Sequence, residues 1–251
     1  MSKTITQLHL EKTGKLSDKW ELYLDYYDQL FGGISDSPLS LLEIGVQNGG
    51  SLDTWAKYFI NAKFIVGCDI DEKCKSLTYE DSRVHVVVGD ANSETANNEI
   101  RKICSSFDVV IDDGSHVSAD ILNSFLIYFP LVNPGGIYVI EDTHTLYDYS
   151  FGGGILNEFS AMNFFKKLVE IPSYQFWGRE LSPNTLLSTF FNGGSIPPFI
   201  AEGWVESIEF RNSIITIRKS KQAGHEKLGK RIITGTELTV KDDAWLKMVK
   251  D

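Results

Sequence analysis

The stretch SLLEIGVQNGGSLDTWAKYF, residues 40–59, joins a short apolar run to a segment with helical spacing through a glycine-rich turn. The apolar run predicts a buried strand, and the segment from Ser51 onward predicts a helix. The same alternation continues downstream, with further strands predicted at 63–71, 83–90, 107–113 and 136–142 and helices at 93–103 and 118–132. Because the strands are apolar throughout and alternate with helices, the pattern predicts a parallel sheet covered by helices on both faces.

The segments on either side of this pattern differ from it. Residues 17–31 place apolar side chains on one helical face, which predicts a helix capped by Ser17 or Asp18. Residues 146–202 are aromatic and loop-rich, and residues 204–220 alternate polar and apolar types as an antiparallel hairpin does. We therefore expect a single domain, 1–251, in five parts: an N-terminal helical cap (1–38), a cofactor-binding core (39–145), an acceptor or lid insertion (146–202), a C-terminal hairpin (203–220) and a tail (221–251).

Composition limits the classes of protein that the chain can belong to. It has 251 residues, 42% of them hydrophobic, and a formal net charge of −10. An acidic chain without a clustered basic face is a poor partner for nucleic acid. Three cysteines without CxxC spacing favour a reducing compartment, and no apolar run approaches the length of a membrane span. We expect a cytoplasmic protein with neither a nucleic-acid nor a membrane partner.

The glycine turn after the first strand has an unusual spacing. Its glycines stand at positions 45, 49 and 50, whereas a dinucleotide fingerprint needs its second glycine two positions after the first. The acid Glu43 within the motif suits a cationic ligand such as the ammonium and sulfonium groups of S-adenosylmethionine (SAM). Asp69 and Asp90 follow the next two strands, where they could meet ribose hydroxyls and an adenine amino group. Alternatively, the glycines only permit a tight turn and the acids are solvated strand ends.

Acidic side chains also end the last two parallel strands. Asp113 ends one strand, and Glu141 and Asp142 end the next. Three carboxylates this close would repel one another unless a cation lay between them, and hard oxygen ligands suit Mg²⁺ or Mn²⁺. His116 is expected on the first turn of the following helix, facing the same site.

Four segments together resemble a known family: LLEIGVQNGGSLDTW (41–55), GCDID (67–71), VVIDDGSH (109–116) and GGIYVIEDTHT (135–145). They look like class I SAM-dependent methyltransferases, and most like the metal-dependent O-methyltransferases that act on sugars of macrolide antibiotics. These enzymes are related to proteins labelled cephalosporin hydroxylases. Upstream, GKLSDKW (14–20) resembles a segment that those proteins carry before the core. The resemblance covers roughly residues 13 to 150.

The resemblance implies a Rossmann-like fold, a mostly parallel seven-stranded sheet that ends in an antiparallel hairpin. It implies SAM as cofactor and Mg²⁺ (or Mn²⁺) as metal, with His116 as general base. His144 is a second catalytic candidate or a substrate contact. The implied cofactor-binding residues are Glu43, Gly45, Gly49, Ser51, Asp69, Asp90 and Asp112, and the implied metal ligands are Asp113, Glu141 and Asp142.

The expected reaction is O-methylation of a hydroxyl on a small acceptor, with a sugar (free, nucleotide-linked or on a natural product) favoured. Three alternatives stay open: a catechol- or phenol-type methyltransferase, an NAD-dependent oxidoreductase and a catalytically silent SAM-binding protein. Phenol-type enzymes usually carry a lysine where His116 stands, and the glycine spacing argues against NAD. Tyr147, Tyr149 and Phe151 could wall an acceptor site or pack in the core, with the glycines at 152–154 as a hinge. A homo-oligomer is compatible with the family.

Overall fold

The computed structural model describes residues 3–178 and 180–237. Seven strands form one sheet in the order β3-β2-β1-β4-β5-β7-β6. The first five are parallel, and β7 runs antiparallel to both β5 and β6. The strands are β1 Ser40–Ile44, β2 Phe64–Asp69, β3 Val84–Val88, β4 Phe107–Asp112, β5 Val132–Ile140, β6 Val205–Arg211 and β7 Ile214–Lys219. The predicted fold, a parallel sheet that ends in an antiparallel hairpin, is confirmed.

Helices cover both faces of the sheet, and each face has its own apolar core. Successive strand side chains enter opposite cores: Leu41 packs with the aromatic rings of α2 and α3, and Leu42 packs with α4, α5 and α6. The helices are α1 Ile5–Leu10, α2 Glu21–Phe31, α3 Gly50–Tyr58, α4 Glu94–Ile103, α5 Ser118–Tyr128, α6 Ala161–Leu168, α7 Pro183–Leu187 and α8 Pro198–Ala201. No helix among the described residues is both long and apolar enough to cross a membrane.

The N-terminal segment departs from its prediction. Helix α2 begins at Glu21, not at residue 17, and neither Ser17 nor Asp18 caps it. The segment ahead of α2 is instead held on the core by backbone contact, since the Gly50 amide donates a hydrogen bond to the Leu16 carbonyl at 3.1 Å. This long-range contact keeps residues 16–20 out of the helix and lays them along the glycine loop.

The end of α5 and the position of His116 also differ from the prediction. Helix α5 ends at Tyr128, and a 3-10 turn at Phe129–Leu131 follows it. Pro130 has no amide hydrogen to continue an α-helix, which accounts for the early end. His116 precedes α5 with φ 58°, so it lies in a loop and not on the first helical turn. Of the predicted tail, residues 238–251 lie outside the described part of the chain.

Gly45 is where β1 turns away from the sheet, and the turn has room for no side chain. Its φ is 89°, a backbone conformation that residues with a Cβ atom rarely adopt. A Cβ at this position would lie 1.9 Å from the carbonyl oxygen of Asp113. Strands β1 and β4, each with acidic residues at its end, can therefore end side by side only because position 45 is a glycine.

We expect Gly45→Ala to lower the free energy of unfolding by more than about 2 kcal/mol, because a left-handed conformation and a backbone overlap add together. Urea unfolding followed by circular dichroism measures the change. Gly33→Ala is the control, since Gly33 is exposed, has an ordinary φ and has no atom within 4 Å of the added Cβ. Equal stability of the two variants would contradict the close packing at Gly45.

Candidate cofactor and metal site

A cavity of about 620 Å³ opens at the carboxyl ends of the parallel strands. Its floor comes from the turns that follow β1 to β5, and residues 16–20 of the N-terminal segment line it as well. This is where open α/β sheets bind their ligands. Predicted site residues that line the cavity are Gly45, Ser51, Asp69, Asp90, Asp112, Asp113, His116, Glu141, Asp142 and His144.

Glu43 and Gly49 lie behind the cavity wall. The Glu43 side chain is fully buried, and its carboxylate accepts hydrogen bonds from Ser51 Oγ at 2.5 Å and Trp55 Nε1 at 3.1 Å. Burial raises the pKa of Glu43, although Lys19 and the Ser51 hydroxyl counteract it. Gly49 has φ 79° and precedes the first residue of α3. The acid of the motif thus ties β1 to α3.

The two acids after β2 and β3 both bind backbone amides. Asp69 Oδ2 accepts from the amides of Val46 and Gln47 at 2.7 Å, and Oδ1 accepts from Asp71 at 2.8 Å. Asp90 Oδ1 accepts from the Asn92 amide at 2.9 Å. A carboxylate oxygen has capacity for more than one hydrogen bond. Asp69 therefore shapes the glycine loop and still retains acceptor capacity for a ligand.

A buried ammonium that was not predicted lies among the carboxylates. Lys19 Nζ is 2.5 Å from Asp113 Oδ2, 2.9 Å from both oxygens of Glu141 and 3.9 Å from Glu43. Burial alone would lower the pKa of Lys19, but the Glu141, Asp113 and Glu43 carboxylates together raise it well above its usual value. Lys19 therefore forms ion pairs with the carboxylates around it.

Glu141 is the most deeply buried of the predicted metal ligands. Besides Lys19, it accepts a hydrogen bond from the Tyr27 hydroxyl at 2.6 Å, and its side chain is 1% exposed. Burial and the neighbouring charge of Asp113 raise the pKa of Glu141, and the Lys19 ammonium opposes this effect. Its carboxylate is consequently engaged on the protein side of the cavity.

Asp113, His116 and Asp142 form a cluster at the mouth of the cavity. Each offers one ligand atom, and the three atoms lie within 4.8 Å of one another. His116 Nε2 is 3.6 Å from Asp142 Oδ2 and 3.9 Å from Asp113 Oδ1. All three side chains are between 21% and 24% exposed, so a ligand can reach them. The two carboxylate oxygens are hard ligands that a divalent cation can use, and the imidazole lies beside them.

Strained backbone is concentrated around this cavity. Five non-glycine residues in the described part of the chain have positive φ, and Gln47, His116 and Asp142 among them line the cavity. A fourth, Ser213 at the turn of the β6–β7 hairpin, contacts the site from outside the core. Such conformations cost of order 1–3 kcal/mol each and gather at functional sites.

His144 and Ser213 meet on the exposed side of the cluster. His144 Nδ1 is 2.5 Å from Ser213 Oγ and 3.8 Å from Asp142 Oδ1, and its side chain is 52% exposed. The hairpin turn therefore reaches across the sheet edge to a predicted site residue. Tyr147 and Tyr149 are also exposed but do not line the cavity, and residues 152–154 form a turn hydrogen-bonded to 146–149.

Asp112 is buried beneath the cluster. Its carboxylate accepts from the Gly114 amide and the Tyr138 hydroxyl, each at 3.3 Å. Burial raises the pKa of Asp112 to about 7, because these hydrogen bonds offset only part of the cost and the charge of Asp113 adds to it.

The family model described as "Methyltransferase domain" matches residues 42–143. A tetracenomycin-C rhamnosyl 2'-O-methyltransferase from Streptomyces olivaceus is 36% identical over 164 residues, which are 61% of this chain and 42% of that protein. Demethylmacrocin O-methyltransferase from Streptomyces fradiae is 35% identical over 64% of this chain and 43% of its own length. Over the matched residues the chain is similar to O-methyltransferases that act on antibiotics.

The methyltransferase fold of the chain also agrees with a solved structure. MycE methyltransferase from the mycinamycin biosynthetic pathway, in complex with Mg and SAH, superposes with a TM-score of 0.70 at 26% identity. The match covers 100% of this chain and 60% of that one. The chain spans less than half the length of the two curated methyltransferases above.

Removal of the Lys19 charge should destabilise the methyltransferase fold. We expect Lys19→Met to lower the free energy of unfolding by about 3 kcal/mol in EDTA, because it leaves buried carboxylates without their cation. Lys15→Met is the control, since the Lys15 ammonium pairs with Asp53 and packs over the Tyr79 ring at a more exposed position. Urea unfolding at pH 8 compares them, and a loss of under about 1 kcal/mol for Lys19→Met would argue against the buried cluster.

Because the pKa of Asp112 is raised in the folded protein, we expect this residue to lower the free energy of unfolding as pH rises from about 4 to about 7. The folded-state pKa lies above the unfolded value, so the folded protein keeps a proton that the unfolded chain releases in this window. Asp112→Asn removes this effect, and its stability relative to wild type should rise by up to roughly 4 kcal/mol between pH 4 and 8. Asp25→Asn makes the same chemical change on an exposed side chain. Urea unfolding in EDTA across this range measures the difference, and a constant difference for Asp112→Asn would contradict the assignment.

Proposed function

We propose that this protein transfers a methyl group from SAM to a hydroxyl of a small acceptor, with a sugar as the favoured acceptor. The observation that carries the proposal is the cluster of Asp113, His116 and Asp142 at the mouth of a cavity that the glycine loop also lines. The relatives support the acceptor class, because one of them is a rhamnosyl tetracenomycin-C 2'-O-methyltransferase.

The cavity is suited to a cofactor that carries positive charge. Its proposed SAM contacts are Gly45, Ser51, Asp69, Asp90 and Asp112, with Glu43 and Gly49 shaping the loop from behind. Asp69 and Asp90 keep acceptor capacity for ribose and adenine donors. The buried Glu43 favours a cation in the cavity without touching it, because charges interact strongly across a low-dielectric interior.

The residues at the rim fit a divalent cation. Among the described residues, Lys19 is the one ammonium within 4 Å of Glu43, Asp113 or Glu141. Asp142 adds a further carboxylate at the rim, so negative charge is left to be balanced. Asp113, Asp142 and Glu141 are the proposed ligands for Mg²⁺ or Mn²⁺. Glu141 can serve as a ligand while it stays bonded to Lys19 and Tyr27, since each carboxylate oxygen has two lone pairs.

His116 is the proposed base. An aliphatic hydroxyl has a pKa near that of water, ~15.7, whereas histidine titrates at ~6.5, and the gap corresponds to roughly 12 kcal/mol. A divalent cation held by Asp113, Glu141 and Asp142 would supply Lewis acidity that makes the acceptor hydroxyl easier to deprotonate and so narrows this gap. His116 Nε2 would accept the hydroxyl proton while the acceptor oxygen forms a bond to the methyl carbon and the bond between that carbon and the sulfur breaks.

Lys19 does not favour the phenol-type alternative, although it brings a lysine to the site. The lysine that acts as a base in that class must lose its proton, whereas three carboxylates raise the pKa of Lys19. We assign Lys19 to structure and charge balance, and we assign acceptor selection to residues 146–202, whose exposed aromatic side chains lie beyond the cofactor cavity.

Methyl transfer from SAM to a panel of sugars, nucleotide sugars and glycosylated natural products tests the proposal. We expect turnover that EDTA abolishes and Mg²⁺ or Mn²⁺ restores. His116→Ala should lower kcat by about 10²–10⁴-fold, the usual contribution of a general base. His9→Ala is the control because His9 lies in α1, outside the cavity lining. Full activity in EDTA would defeat the metal's role, and turnover confined to catechols would favour the phenol-type alternative.

A further inference from the structure

Asp142 and Asp113, two carboxylates of the proposed metal site, share one arrangement: one oxygen is bonded to protein donors and the other lies beside His116. Asp142 Oδ1 accepts hydrogen bonds from the Tyr23 hydroxyl at 2.7 Å and Trp20 Nε1 at 3.2 Å, while Oδ2 lies 3.6 Å from His116 Nε2. Asp113 Oδ2 is bonded to Lys19, while Oδ1 lies 3.9 Å from the same imidazole nitrogen. The N-terminal segment thus holds one oxygen of each carboxylate and leaves the other beside His116.

We propose that Tyr23 is a positioning residue for the divalent cation: its hydroxyl holds Asp142 in the orientation that presents Oδ2 to the metal. The inference rests on the proposed function above. A free aspartate rotates about its side-chain bonds and can turn either oxygen, or neither, toward an ion. A hydrogen bond to the oxygen that does not ligate removes this freedom before the ion arrives, which is how outer partners of metal ligands act.

Tyr23 is itself held firmly enough to do this. Its side chain is 1% exposed, and its hydroxyl oxygen accepts a hydrogen bond from the Asp142 amide at 3.0 Å. Ser213 Oγ, from the hairpin turn, lies 2.7 Å from the same hydroxyl. The phenol has one hydrogen to donate, and the charged Asp142 carboxylate is the strongest acceptor available to it. Backbone and side chain of Asp142 are therefore both tied to one phenol oxygen.

Asp142 also has a conformational reason to need this support. Its φ is 52° and ψ is 33°, a left-handed conformation that is uncommon for residues other than glycine. The surrounding contacts must select this conformation over more favourable ones. Tyr23 supplies two of those contacts, and the Ser213 carbonyl supplies a third by accepting from the Thr143 amide at 3.0 Å.

The chain provides a matched control on the same helix. Tyr26 is also buried on α2, and its hydroxyl bonds to Thr216 Oγ1 at 2.9 Å and Glu209 Oε2 at 3.0 Å. It does not line the cavity. Tyr23→Phe and Tyr26→Phe therefore remove the same buried hydroxyl from neighbouring positions, one at the proposed metal site and one away from it.

Isothermal titration of the metal-free protein with MgCl₂ alone, without SAM, tests the inference. We expect Tyr23→Phe to weaken the Mg²⁺ affinity by about 10–100-fold, the usual loss when an outer partner of a metal ligand is removed. Tyr26→Phe should keep the wild-type affinity within about twofold. Thermal unfolding in EDTA checks the fold: both variants should lose similar stability, and the rise in Tm on adding Mg²⁺ should shrink only for Tyr23→Phe.

The outcomes separate this inference from the proposed function. If wild type and Tyr23→Phe bind Mg²⁺ equally well, or if Tyr26→Phe weakens binding as much, the positioning role is wrong while the metal site stands. If wild type itself binds neither Mg²⁺ nor Mn²⁺, the metal site of the proposed function is wrong, and the role of Tyr23 is overturned with it.

Discussion

The repulsion among acidic side chains at one corner of the sheet is the constraint on which the site depends. The parallel register brings the ends of β1, β4 and β5 together, because Glu43 pairs with Ile111 and Asp112 pairs with Ile140 across the strands. Two like charges 4 Å apart repel by about 4 kcal/mol at an effective dielectric constant of 20. The described structure meets this cost with Lys19, which bonds two of the carboxylates directly.

Lys19 can reach the corner only because the N-terminal segment is docked on the glycine loop. A Cβ at Gly50 would lie 2.2 Å from the Leu16 carbonyl oxygen, so the segment and the loop lie too close for any larger residue. The Lys15 ammonium lies 4.1 Å from the centre of the Tyr79 ring and anchors the same stretch from the other side. The segment is therefore part of the wall of the cavity, and the loop glycines serve its docking as well as the strand turn.

Sequence reasoning predicted the sheet and the acids at its rim but not the ammonium between them. Strand periodicity and the position of an acid at a strand end are local signals, and the parallel topology converts them into a shared edge. The contacts of Lys19 join residues 94 and 122 positions apart, for which no local pattern exists. The same long-range docking explains why α2 begins at Glu21, although apolar spacing favoured an earlier start. Only the GKLSDKW resemblance pointed to this segment.

Glu43 is the acid of the glycine motif, and it is buried instead of facing the cavity. Its carboxylate accepts hydrogen bonds from Ser51 and Trp55 and lies 3.9 Å from Lys19 Nζ, behind the cavity wall. A solvated acid at the cavity mouth would be screened by water, whereas a buried one acts through protein of lower dielectric constant. Glu43 therefore connects β1 to the start of α3 and adds a third carboxylate near Lys19. In the proposed function, the same buried charge favours a cation in the cavity.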